Sequence, residues 1–395
     1  MQSVPAYERD SYLRELETEI VAVGAEDGRP FAVLADTVLY PEGGGQPSDR
    51  GTLGSIAVVD VQRREGGIRH YVERPVNPGQ ATVRLDWARR FDHMQQHTAQ
   101  HLLTAVANDT FGWPTTAFHL GEQLSDIELD VGGLAPLEIE MLEEAVAEQI
   151  RAAHPVTSRR VAPDALASLA VRTRGLPADH HGDVRLVEIA GVDLNTCGGT
   201  HVRSTAEIEA LKLLATEAMR GGTRLFFVAG GRLRRRLAAH ETRSGRLRSL
   251  LGAPDAELAA TLEARLEHQH ALEKHVRALE EDLSTALADA LAAQPGAVVA
   301  AHLEGKDAAF LQRMARRLTG SAKTVLLTGG GGEHGPFVVV AGEALPLDVQ
   351  AAGREVAAIL GGRGGGSGRT FQGKAGALSA RDAALARLVA LVETR

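Results

Sequence analysis

A single cysteine, Cys197, occurs in 395 residues. An intramolecular disulfide framework is therefore excluded, and the expected compartment is the reducing cytoplasm. Long apolar runs are also missing. Stretches such as Phe337-Val338-Val339-Val340-Ala341 fall far short of the roughly 20 residues a membrane span needs. Met1 to Asp10 has neither a basic start nor an apolar centre, so no secretory signal is read there. Positive charge is not in excess: 43 Lys and Arg stand against 51 Asp and Glu, a formal net charge of −8. That excludes a generally basic nucleic-acid coat but leaves room for a local basic patch. Only five residues are lysine, which in a chain rich in Ala and Gly reads as compositional bias.

What is present is an ordinary globular composition, 44% hydrophobic and 24% charged. The length suggests two or three domains at ~150 residues each. The first 85 or so residues read as β. Runs at 20–23, 31–34, 55–61 and 81–85 are separated by Gly, Asp-Gly and Pro-Gly turns, which fits a small barrel or sandwich. A helix follows, with Asp92 as the expected cap and Gln95 at its third position. A second helix fits 137–152, where Ile139, Leu142, Val146 and Ile150 recur at spacings of three and four. Strands are expected at 125–129, 184–189, 211–215 and 224–228, so this segment is mixed α+β.

From 232 to 293 the chain is almost all helix formers, interrupted at Gly252-Ala253-Pro254. Leu272, Val276, Leu279 and Leu283 step by 4, 3 and 4, a heptad seam suited to a helical hairpin or a dimer. The last hundred residues alternate strands (298–301, 324–327, 337–341) with helices (308–318, 349–360, 380–392), a small α/β pattern.

Three motifs carry chemistry. His97-Thr98-Ala99-Gln100-His101 places two imidazoles at i and i+4 on one helix face, within reach of one metal ion. Alone, the pair is weak evidence and reads more readily as two partly exposed helix histidines. Cys197-Gly198-Gly199-Thr200-His201 puts the only thiol four residues before a histidine, across glycines that allow a tight loop. Together they supply three imidazoles and one thiolate, a zinc set in composition. The third motif is Tyr40-Pro41-Glu42-Gly43-Gly44-Gly45-Gln46-Pro47. Gly43, Gly44 and Gly45 let the backbone approach a ligand closely, and Gln46 offers both a donor and an acceptor.

In that order, Tyr40–Gln46, His97–His101 and Cys197–His201 resemble the editing domain of alanyl-tRNA synthetase and its free-standing AlaX relatives. Arg220-Gly221-Gly222-Thr223-Arg224 fits the same family. The end of the chain, from Leu360-Gly361-Gly362-Arg363 to Phe371-Gln372-Gly373, is similar to the synthetase's C-terminal DHHA1 domain. The resemblance covers essentially the whole chain and corresponds to the long AlaX form. It departs at Ala117, where many relatives have serine. It departs again at Gly364-Gly365-Gly366-Ser367-Gly368-Arg369-Thr370, where the family often continues Arg-Pro-Asp. No class II aminoacylation domain precedes residue 1, so synthesis of alanyl-tRNA is not expected.

The resemblance implies an α+β multidomain protein. Its expected parts are a β-barrel-like domain (1–88), a zinc-binding α+β editing domain (89–231), a helical connector or coiled coil (232–295) and a DHHA1-like α/β domain (296–395). It implies a deacylase that removes serine, and glycine as an alternative, from mischarged tRNA(Ala). One Zn2+ per chain is expected on His97, His101, Cys197 and His201. Thr115 or Thr116 matches the region of a serine-sensing threonine, with Gln46 the other candidate. Expected tRNA contacts are Gly43, Gly44, Gly45, Arg224, Arg232, Arg235, Arg363 and Arg369. Arg232 and Arg235 belong to a basic cluster at 232–248, relieved only by Glu241, that can meet phosphates or form a solvated helix face. A homodimer through the connector or the C-terminal domain is a further expectation. Two other readings compete: a non-catalytic tRNA-binding protein with a structural zinc, and a DHH-type phosphoesterase suggested by Asp179-His180-His181.

Overall fold

In the computed structural model, which describes residues 4–172 and 182–394, the chain divides into two compact units, Met1–Arg246 and Leu247–Arg395. Asp179-His180-His181 lies outside the described residues.

The first unit opens with a short helix α1 (Ala6–Arg9) and six strands: β1 (Glu15–Glu26), β2 (Arg29–Leu34), β3 (Gly51–Leu53), β4 (Ile56–Arg64), β5 (Gly67–Val72) and β6 (Gly79–Leu85). They close into an antiparallel barrel in the order β1-β2-β5-β4-β3-β6. Closure leaves no unpaired strand edge. Ile20, Ala32, Val58, Val61, Val72 and Val83 fill its core. The expected β runs missed β3 and β5. In β5 the buried His70 takes a core position and is satisfied by Thr37 Oγ1 at 2.9 Å and the Ala32 carbonyl at 3.2 Å, so no apolar run marks the strand.

Helix α2 (Trp87–Phe111) starts earlier than expected. Its cap is Asp86, whose side chain accepts from the Arg89 amide. Asp92 lies inside the helix and pairs instead with Arg232 and Arg235, each at 2.8 Å. Gly112, at φ 70°, ends the helix, in the left-handed conformation that glycine adopts without strain. The fully buried Arg90 ties α2 to the barrel region. It pairs with Asp49 and donates to the Ser11 carbonyl at 2.8 Å and the Val38 carbonyl at 2.6 Å.

After α2 come β7 (Thr115–Leu120), β8 (Ser125–Leu129), α3 (Pro136–Arg151), β9 (Val156–Val161), β10 (Val184–Ile189), β11 (Asp193–Thr196), β12 (Leu211–Met219), β13 (Gly222–Ala229) and α4 (Gly230–Leu251). Two sheets form, β12-β13-β8-β7 and β11-β10-β9. Met94, Leu102, Leu103 and Val106 of α2 share one core with Ile127, Leu142, Val146, Leu225 and Phe227. Each such side chain contributes roughly 1.5–3 kcal/mol by leaving water. The helix is nonetheless rich in buried polar groups. Gln96 bonds both the amide and the carbonyl of Ala229, and Gln95 accepts from the Gly231 amide. These bonds anchor α2 in register against the β13–α4 junction.

The second unit contains α5 (Leu258–Ala293), β14 (Val298–Glu304), α6 (Ala308–Leu318), β15 (Thr324–Gly330), β16 (Gly335–Ala341), α7 (Val349–Ile359), β17 (Arg363–Ser367), β18 (Thr370–Ala375) and α8 (Arg381–Glu393). Its sheet runs β14-β15-β16-β18-β17. β14 and β15 are parallel, and the other pairs are antiparallel. Alternation along β16 serves two cores. Phe337 and Val339 pack with α7, while Val338 and Val340 pack with α6. The glycine-rich stretch from 361 onward forms the hairpin β17–β18. Among the described residues no helix is long and apolar enough to cross a membrane.

Candidate metal centre

His97 and His101 face one side of α2, and Cys197 and His201 arrive on the loop after β11. The four are brought together so that one ligand atom of each lies within 4.8 Å of the others. Cys197 Sγ is 3.4 Å from His97 Nε2 and 3.3 Å from His201 Nε2. Each imidazole is held by its other nitrogen. Nδ1 of His97 meets Gln46 Oε1 at 2.9 Å, that of His101 meets Asp193 Oδ2 at 3.0 Å, and that of His201 meets Thr98 Oγ1 at 3.1 Å. Such contacts orient a metal-binding imidazole and raise its basicity. The donor set of three nitrogens and one sulfur, clustered at this spacing, fits one zinc ion.

The electrostatics agree with a thiolate. Burial alone would raise the Cys197 thiol, but His97 and His201 beside it, with hydrogen bonds from His101 and His201, pull it well below its ordinary value. Burial opposes charge on His101, yet the bonds to Asp193 and Cys197 prevail and lift it to about 9. For His201 burial, reinforced by His97, wins and lowers it to about 3.

His97, His101 and Cys197 form part of the wall of a cavity of about 600 Å³. Gly44 and Gly45, Gln100, Thr104, Thr115 and Arg172 also line it. Gly43 and Gln46 close a tight turn through reciprocal backbone bonds. Gly44 and Gly45 sit at its corners with φ of 55° and 78°, which suits a type I′ turn. A Cβ on Gly45 would lie 2.7 Å from Phe118.

The remaining candidate residues are dispersed. Gln46 is fully buried and does not line the cavity. Its Nε2 donates to Thr200 Oγ1 at 2.9 Å, and its Oε1 accepts from the Thr200 amide at 3.0 Å besides meeting His97. Thr115 lines the cavity. Thr116 is exposed and donates to the Glu128 carbonyl at 3.2 Å. Arg224 is engaged by Glu128 at 2.6 Å and Asp126 at 3.4 Å. Arg232 is buried, held by Asp92 and by the Gly121 carbonyl at 2.6 Å. Arg235 shares Asp92 but stays 69% exposed. In the second unit Arg363 is exposed on β17. Arg369 donates to the carbonyls of Ala341, Gly342, Leu345 and Leu347, which makes it an internal brace.

Sequence reading missed Asp193, Thr98, Gln100, Thr104 and Arg172. Arg172 Nε lies 2.9 Å from Asp193 Oδ1, behind His101, and the guanidinium also pairs with Asp109. The i, i+4 step from Gln100 to Thr104 was the one signal available for the cavity wall.

A mixed α+β scaffold that gathers a His3Cys cluster beside an open cavity offers a candidate metal site. Residues 184–226, which include the Cys197–His201 loop and end within β13, match the family model described as "Threonyl and Alanyl tRNA synthetase second additional domain". The chain is 38% identical over 406 residues to the alanyl-tRNA editing protein Aarsd1 of Mus musculus, covering 98% of each chain. Against the Rattus norvegicus Aarsd1 the identity is 39% over 412 residues, again with 98% of each covered. AlaX-L of Pyrococcus horikoshii is 36% identical over 217 residues, 53% of each chain. The chain belongs to the alanyl-tRNA editing protein family.

Proposed function

We propose that this protein is a trans-editing deacylase that hydrolyses the ester joining a misplaced amino acid to tRNA(Ala), with seryl-tRNA(Ala) the leading substrate and glycyl-tRNA(Ala) the alternative. The observation that carries the reading is the His97–His101–Cys197–His201 cluster, of which His97, His101 and Cys197 line an open cavity, in a chain of the editing family. Those four residues would hold one zinc ion per chain, which when bound polarises a carbonyl oxygen and lowers the pKa of water towards ~7. The protein's own part is positioning. Gln46, Asp193 and Thr98 fix the imidazoles, Gly44 and Gly45 offer a backbone wall to the tRNA end, and Thr115 supplies a hydroxyl. Thr115 lines the cavity and Gln46 and Thr116 do not, which favours Thr115 among the candidates named from the sequence.

On this reading the chain has four functional parts, divided at 88, 231 and 295, the last of them a DHHA1-like tRNA-binding domain. A cytoplasmic site of action follows from the substrate. The exposed seam Leu272, Val276, Leu279 and Leu283 supports a homodimer through the connector.

A second reading has one observation in its favour. Four protein ligands close a tetrahedral ion, the mark of a structural site. Deacylation of Ser-, Gly- and Ala-tRNA(Ala) side by side, with metal content measured, separates the two. Serine should be released far faster than alanine. Cys197→Ala should lose the metal and slow release by more than about a hundredfold, since polarisation by a bound ion is worth several kcal/mol. No ester hydrolysis by metal-loaded protein would leave the non-catalytic tRNA-binding reading.

A further inference from the structure

Along α2 the cavity is faced by Gln100 and Thr104 as well as by the two histidines. Gln100 is 4% exposed. Its Nε2 donates to Thr104 Oγ1 at 2.9 Å, while its Oε1 is buried with no hydrogen-bond partner among the described residues. An amide oxygen left in that state forfeits the bond it would make to water, so an unmatched acceptor on a cavity-lining residue points to a ligand. Thr104 is set in the complementary way. Its oxygen accepts from Gln100 and, at 3.3 Å, from Thr115 Oγ1. With both lone pairs engaged, its own proton is left to donate.

The two neighbouring wall residues thus carry one unmatched acceptor, Gln100 Oε1, and one donor, the Thr104 hydroxyl. The geometry points to Gln100 and Thr104, braced by Thr115, as the pair that recognises the side-chain hydroxyl of a seryl ester. This rests on the deacylase reading above and assigns its selectivity. A hydroxyl both donates and accepts and so satisfies the two groups at once. An α-ammonium donates only and would leave the Thr104 proton unmatched. A glycyl group leaves room for a water to serve both partners. An alanyl methyl fills that room and serves neither, so alanine is the most strongly rejected, by the logic that a site built for a hydroxyl discriminates against its absence.

The test uses metal-loaded full-length protein and non-hydrolysable amide analogues of 3′-seryl-, 3′-glycyl- and 3′-alanyl-adenosine, with binding read by calorimetry. The expected order is seryl, then glycyl, then alanyl, with about ten- to a hundredfold between the first and last. Thr104→Val and Gln100→Met should each collapse that ratio, and Thr104→Ser, which keeps the hydroxyl, should retain it. Equal binding of the three analogues overturns the assignment, as does a ratio unmoved by Thr104→Val and Gln100→Met. Ester cleavage from Ser- and Ala-tRNA(Ala) by the same proteins separates the two levels. A seryl preference in binding without cleavage would sink the deacylase reading and keep this pocket. Cleavage whose selectivity ignores both substitutions would keep the deacylase and sink the pocket.

Discussion

The two glycines between Cys197 and His201 do different work. A Cβ at Gly199 would lie 2.2 Å from His97 Cε1 and 2.8 Å from Gln46 Oε1, whereas one at Gly198 would meet nothing within 4 Å. Gly199 is thus where the loop passes against the His97 ring and its Gln46 support. Gly199→Ala must displace one of them and should weaken metal binding by about 10–100-fold, the usual cost of disturbing such outer partners. Gly198→Ala should bind metal nearly as the parent does. Competition with a chelator measures both, and equal losses would show that the loop needs flexibility at each position rather than space at one. The four cluster residues were legible because each pair is local, four residues apart. Their supports were not. Gln46, Asp193 and Thr98 meet their histidines across sequence separations of 51, 92 and 103, and nothing local in the chain announces such a meeting.

At the scale of elements, α2 shows how a plausible cap can mislead. Asp92 and Gln95 have capping-box spacing, but Asp86 is the residue whose carboxylate reaches the Arg89 amide, at 3.1 Å. Asp92 belongs to a tertiary bridge to α4. The two aspartates should therefore fail differently. Asp86→Ala should cost about 1 kcal/mol of stability, as loss of an N-cap does. Asp92→Ala should cost more, because it strands the buried guanidinium of Arg232 without its partner. Denaturant unfolding of the two variants checks the order, and a larger loss from Asp86→Ala would restore Asp92 to the surface. The long helices were readable from periodicity and from the break at Gly252-Ala253-Pro254. Hairpin β17–β18 was not, because its first strand, Arg363-Gly364-Gly365-Gly366-Ser367, is exposed throughout and carries none of the apolar alternation by which strands are recognised.

For the whole molecule, the division at Arg246 leaves the candidate metal site and most of the expected tRNA contacts in the first unit, and Arg363, Arg369 and the helical seam in the second. The cluster, its supports and the cavity all belong to the first unit. Arg232 belongs there too, through Asp92 and Gly121, so a protein cut at the nominal boundary of 231 would lose a buried brace. Met1–Arg246 keeps it. That fragment should bind one metal ion and cleave mischarged tRNA at saturating concentration, since its cavity needs only the aminoacylated end. It should hold tRNA more weakly, and the salt dependence of its binding should be shallower, by about 0.7–0.9 in log–log slope for each phosphate left unneutralised. The second unit carries the exposed Arg363 and the seam from Leu272 to Leu283, whose four apolar side chains are 42–65% exposed. Burying them against a second copy removes apolar surface from water, so the full chain should sediment as a dimer and Met1–Arg246 as a monomer. An unchanged affinity and salt slope in a monomeric fragment would strip the second unit of its tRNA role and leave dimerisation as its function.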